Sequence, residues 1–199
     1  MSGIIYLILL WYLWLFQTFV AAKNQFRFLT AFFILWLIII YPVEWSVGSF
    51  VMKPSFLLIC CCGFLLLAAG NGRKKWRSVI LSGAFAFLFA SLRMAEWYEP
   101  ILFLFGHTLT YVCSFFFLIF LFSNKFTERL SIVIVSTCAG EILYQIQLYP
   151  LTSTLYLGQP FVLDYVVIMI ALFYGWNIIK TFVEYMQRLT PSRNINLPQ

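Results

Sequence analysis

"GIIYLILLWYLWLFQTFVAA", residues 3–22, runs for twenty residues without a charged side chain. A bilayer's hydrocarbon core is about 30 Å thick, and roughly 20 apolar residues of helix cross it. A helix apolar on every side needs either the core of a large protein or lipid around it. A chain of 199 residues cannot supply the first. Six more runs of the same kind follow, at about residues 28–43, 54–70, 78–98, 100–122, 130–149 and 161–185. The composition agrees: 63% of residues are hydrophobic, 10% are charged, and the mean hydropathy is +0.92. These values belong to the membrane class of proteins.

In hydrocarbon no water is present to satisfy an exposed amide, so each isolated span must be a helix. The alternating ten-residue pattern of a membrane β-barrel is missing from the sequence. The expected fold is therefore all-α: a polytopic membrane protein, one bundle of seven transmembrane helices over residues 1–188. Pro191 and Pro198 stop helix formation beyond it, giving a short disordered cytoplasmic tail at 189–199.

Basic residues orient the bundle. Lys23 and Arg27 follow the first run; Arg73, Lys74, Lys75 and Arg77 the third; Lys125 and Arg129 the fifth; Lys180, Arg188 and Arg193 lie at or past the end of the seventh. Only Lys53 and Arg93 fall toward the other side. The positive-inside rule then places the N-terminus outside and the C-terminus inside. The net charge of +6 sits in short loops beside spans, where it attracts headgroups, so nucleic acid is not an expected partner. Val20 and Ala22 occupy the small-residue positions of a signal-peptidase site, but "MSGIIY" lacks a basic leader and the apolar stretch is long, so the first span is expected to stay uncleaved.

Five cysteines, Cys60, Cys61, Cys62, Cys113 and Cys138, fall within spans and read as small apolar filler. The tryptophans mostly lie near span ends, as interfacial anchors do. The loop "NGRKKWR", residues 71–77, reads as a retention loop.

A charge inside a membrane span costs at least ~2.5 kcal/mol, so it is expected to face the bundle interior. Such groups are confined to the last four runs. On the fourth, Ser78, Ser82, Ala86 and Ala90 form a small-residue stripe that Arg93 and Glu96 continue. His107, Thr110, Tyr111 and Ser114 share a face of the fifth, Thr137, Glu141 and Gln145 a face of the sixth, and Asp164, Ala171 and Gly175 a face of the seventh. At 1.5 Å per residue, Arg93, His107, Glu141, Gln145 and Asp164 all lie in the outer half, His107 about 10 Å below the end of its span.

Three readings of Arg93, Glu96, His107, Tyr111, Glu141, Gln145 and Asp164 are open. The leading one is a structural network in a scaffold or partner-binding protein, surrounded by lipid and contacting other membrane proteins or a second copy. The second is an outward pocket of a transporter or sensor, in which the Arg93 fork holds a small anionic ligand. The third is an intramembrane enzyme with His107 as base. It ranks last, because the sequence lacks Gly-x-Ser-x-Gly, HExxH and phosphate-loop motifs and has one histidine. No enzyme activity, cofactor or metal is expected.

The stretch "LLWYLWLFQTFVAAKNQFRFLTAFFILWLIII", residues 9–40, has a Trp-rich span closing on "TFV", a short basic loop with Arg27 and an apolar second span. In this it resembles the YphA-like family of multi-pass membrane proteins of Bacillus-type bacteria. The resemblance implies a Gram-positive plasma membrane and carries no particular activity or residue role.

Overall fold

The computed structural model describes residues 3–20, 25–70, 72–99, 101 and 106–189. Among them are seven helices: α1 (Ile4–Phe19), α2 (Gln25–Ile40), α3 (Pro54–Ala68), α4 (Gly72–Tyr98), α5 (His107–Phe122), α6 (Phe126–Thr152) and α7 (Pro160–Leu189). The tail expected at 189–199 lies outside the described residues, save Leu189, which ends α7. So does the stretch 21–24, with Ala22 and Lys23.

Local chemistry sets several boundaries. Lys53 is extended and Pro54 opens α3 at the position where a missing amide costs nothing. Pro150 falls in the last turn of α6, which ends on Ser153 in the left-handed conformation at φ 56°. At the start of α5, Gly106 takes φ 94° and ψ 138°, so the helix begins at His107. His107 therefore stands in the first turn of α5, and not about 10 Å along that helix; of the run expected from residue 100, residues 100 and 102–105 lie outside the described residues.

The bundle is not purely helical. Three short strands, β1 (Trp45–Val47), β2 (Phe50–Met52) and β3 (Leu155–Leu157), form one sheet in the order β1-β2-β3. β1 and β2 are an antiparallel hairpin, Trp45 opposite Met52 and Val47 opposite Phe50, turned at Gly48 with φ 60°. β3 joins β2 in parallel, Val51 opposite Tyr156. The Lys53 amide extends the ladder to the Leu157 carbonyl at 3.1 Å. The sequence reading expects plain loops here, because runs of three residues are too short for alternation to register.

Successive helices run antiparallel, giving the bundle two ends. Tyr6 of α1 stacks on Tyr41 just past α2, while Gln17 bonds Thr30 near the opposite end of both. Glu96 of α4 meets His107 of α5, whereas Phe85 packs on Phe122. The sheet caps one end; Lys75, Arg77, Lys125 and Arg129 collect at the other.

α6 is the interior helix, packed on α3, α4, α7 and β3. Its tightest seam is with α4, where Ser78, Ser82, Ala86 and Ala90 are all buried, as the small-residue stripe requires. Gly140 lies so close across the seam that a Cβ would stand 2.9 Å from the Ala86 carbonyl oxygen and from Phe89. An aromatic cluster of Phe89, Tyr111, Phe115 and Tyr165 fills the space between α4, α5 and α7. The outer surface carries Phe28, Phe32, Ile80, Phe87, Phe117 and Leu121, each more than half exposed. A water-soluble monomer does not present such a surface. By length and composition three helices suffice to cross a membrane, at Lys75–Tyr98, Phe126–Thr152 and Pro160–Gln187; the other four are shorter and apolar.

Candidate functional site

The polar cluster at the sheet end is built around Arg93, five residues before the end of α4 and 7% exposed. Its guanidinium carbon lies 4.7 Å from the ring centres of both Tyr144 on α6 and Phe161 on α7. Arginine over aromatic faces is favourable once water is removed. Nη2 donates to Oε1 of Gln159, in the turn between β3 and α7, at 2.6 Å. Nη1 is 3.6 Å from Glu96 and Nη2 4.0 Å from Glu141. Glu141 is fully buried. Its Oε1 accepts from Gln145 one turn along α6 at 3.1 Å, while Oε2 and Arg93 Nε have no hydrogen-bond partner among the described residues.

Glu96 is the second hub. Besides Arg93 it takes the Tyr111 hydroxyl at 3.2 Å and lies 3.1 Å from Nδ1 of His107. His107 is half exposed, so this edge of the cluster lies at the surface of the protein. Next to it the Trp97 indole donates to the Tyr144 hydroxyl at 2.8 Å. Both carboxylates crowd one arginine, which leaves little uncompensated positive charge for an anion.

Six of the seven residues singled out from the sequence thus meet: Arg93, Glu96, His107, Tyr111, Glu141 and Gln145. Asp164 does not join them. Its two oxygens accept the backbone amides of Gly3 and Tyr6, each at 2.7 Å, so it caps α1 from α7. Gln159 and Phe161 were missed, though each touches Arg93. The only signal was position, a polar residue and a proline at the mouth of a span.

A second polar group sits on the sheet. Lys53 is buried, its ammonium 3.3 Å from Glu44 and 4.6 Å above the Tyr41 ring. The Tyr156 hydroxyl donates to Glu44 at 3.0 Å. That bond, then the one from Lys53, holds the Glu44 carboxyl below its ordinary range. Burial, followed by the hydrogen bond to Glu44, pushes the Tyr156 phenol up to about 12. Among the cysteines, Cys138 is buried, Cys60 packs against the core, and Cys61 and Cys113 face outward.

The apolar exterior, the antiparallel bundle and the buried charges describe a protein solvated by lipid. A profile of the YphA-like integral membrane protein family matches residues 2–197. The chain belongs to that family. The likeness first seen in residues 9–40 therefore extends over nearly the whole of this YphA-like chain. No curated protein and no solved structure matches it. The family description makes it an integral membrane protein and assigns no reaction to the Arg93 cluster.

Proposed function

We propose that this YphA-like protein crosses the plasma membrane seven times, N-terminus outside, and acts as a structural or partner-binding component rather than an enzyme. The four shorter helices, at 15 to 16 residues, extend about 22–24 Å, and flanking residues or local thinning can supply the remainder. The basic residues gathered at one end support the orientation, and the exposed aromatic and aliphatic surface supports contact with lipid or with helices of other membrane proteins.

The observation that carries the scaffold reading is the surroundings of Arg93. Two rings, one amide and two carboxylates from α4, α6, α7 and the turn before α7 already engage it. An arginine serving as anchor for an incoming anion would keep a fork free for it. In this reading the cluster fixes how three helices pack, with buried charge specifying one arrangement. Arg93 Nε and Glu141 Oε2, which lack a hydrogen-bond partner among the described residues, favour a second reading, a hydrated chamber of a transporter or sensor open to the outside.

The two part on water access. In a cysteine-free background, Glu141→Cys and Gln145→Cys are expected to stay inert to an impermeant thiol reagent added outside, while Val47→Cys on the exposed hairpin reacts. Rapid labelling at position 141 in a folded protein would defeat the scaffold reading and establish the chamber.

A further inference from the structure

At the opposite end of the bundle, a cavity of about 330 Å³ opens where the C-terminus of α3 meets the N-termini of α4 and α6. We propose that it binds the phosphate of an anionic phospholipid headgroup, a role beyond the scaffold reading and independent of the Arg93 cluster.

Charge is the first argument. Lys75 and Lys125 line the cavity, are exposed, and have no acidic partner among the described residues. The one carboxylate in the lining, Glu128, is engaged by Arg77 at 3.3 Å and by the Ser123 hydroxyl at 3.4 Å. Arg129 is turned away: its Nε donates to the Ser123 carbonyl at 2.8 Å and its guanidinium covers Phe120.

The second argument is hydrogen bonding. Ser78 is 5% exposed and lines the cavity, which places its hydroxyl at the space a headgroup would fill. α6 starts at Phe126, and its N-cap residue Lys125 puts no side chain on the first amides. Lys75 stands in the first turn of α4. Two long helices thus turn their positive ends toward one pocket, which suits a phosphate. Leu66 and Leu67 complete the wall with apolar surface, where the glycerol and upper acyl chain of a lipid would lie. A soluble anion has no use for that wall.

The test is native mass spectrometry of the full chain released from detergent, with phosphatidylglycerol and phosphatidylcholine offered at equal concentration. Wild type should retain phosphatidylglycerol preferentially. The preference should fall about fivefold in Lys75→Gln and in Lys125→Gln. Ser78→Ala, which changes no charge, should lower it at least threefold. Lys180→Gln, at a basic residue paired with Glu184 at 3.9 Å away from the cavity, should leave it unchanged. Equal retention of the two lipids by wild type would overturn the proposal, as would the same loss in Lys180→Gln, which would mean unspecific attraction. A third arm uses inorganic phosphate: displacement of the lipid at millimolar concentration would make a soluble anion the ligand and would also overturn it.

Discussion

At Arg93 the protein has placed a buried charge among specific neighbours, of which Glu141 and Tyr144 are themselves buried. Removing one partner of such a pair costs more than removing both, because the survivor is left charged in a medium that cannot solvate it. Arg93→Ala is therefore expected to lower unfolding stability in detergent by about 3–5 kcal/mol, since it strands Glu141, while Arg93→Met combined with Glu141→Leu recovers most of that loss. Additive losses would show that Glu141 is not the partner. Asp164 has a different role, and its substitution should fail differently. Asp164→Ala removes both acceptors at the start of α1, at a cost of about 1–2 kcal/mol. Hydrogen exchange at the amides of Gly3 and Tyr6 should accelerate before any other region responds. The sequence could not distinguish these two carboxylates. Glu141 and Gln145 are four residues apart on one helix, and Arg93 and Glu96 three, so their proximity follows from helical geometry. Asp164 bonds backbone amides 158 and 161 residues away, and an amide carries no sequence signature.

Pairs of elements show how close packing and the sheet end divide the work. The α4 stripe was legible as small residues at every fourth position, but its counterpart Gly140 was not, because one glycine has no periodicity. Gly140→Ala should destabilise by about 1–3 kcal/mol, since its methyl meets the backbone of Ala86. Gly83→Ala and Gly175→Ala, with open space around the new carbon, should instead be neutral or stabilise by up to about 1 kcal/mol. Thermal unfolding of the three variants checks the contrast. The sheet was invisible in the sequence, since three-residue strands interrupted by turns give no alternation, yet it carries the Glu44, Lys53 and Tyr156 group. That group gives the sheet end a pH window. The lowered Glu44 pKa contributes stability above its ordinary value of 4.5, lost as pH falls through the lower folded value. The raised Tyr156 pKa contributes stability that is fully present below 10.0 and lost as pH rises toward about 12. Protease resistance of the hairpin should stay level between roughly pH 5 and 9 and decline on both sides. Glu44→Gln should abolish the acid limb, and Tyr156→Phe should remove the alkaline one.

For the whole molecule the hydrophobic runs revealed seven helices because lipid demands long apolar segments, but run length overstated some of them. The run from residue 100 includes Gly106, whose non-helical φ and ψ set the start of α5 at His107, so α5 is only 16 residues long. Whether such a helix crosses depends on its ends, and the two ends here carry opposite instructions. One holds the hairpin with Glu44 and a buried Lys53; the other holds Lys75, Arg77, Lys125 and Arg129. If α1, α2, α3 and α5 all cross, every connection bearing the sheet lies outside and every basic connection inside. If one short helix only dipped into the bilayer, connections beyond it would change sides. Single cysteines at Val47, Thr154 and Lys125 in a cysteine-free chain decide this. In intact cells an impermeant thiol reagent should label Val47→Cys and Thr154→Cys fully and Lys125→Cys only after permeabilisation. Labelling of Lys125→Cys in intact cells would mean that α5 fails to cross. Protection of Thr154→Cys with Val47→Cys labelled would place β2 and β3 on opposite sides of a membrane, which their parallel pairing of Phe50 with Leu155 does not permit.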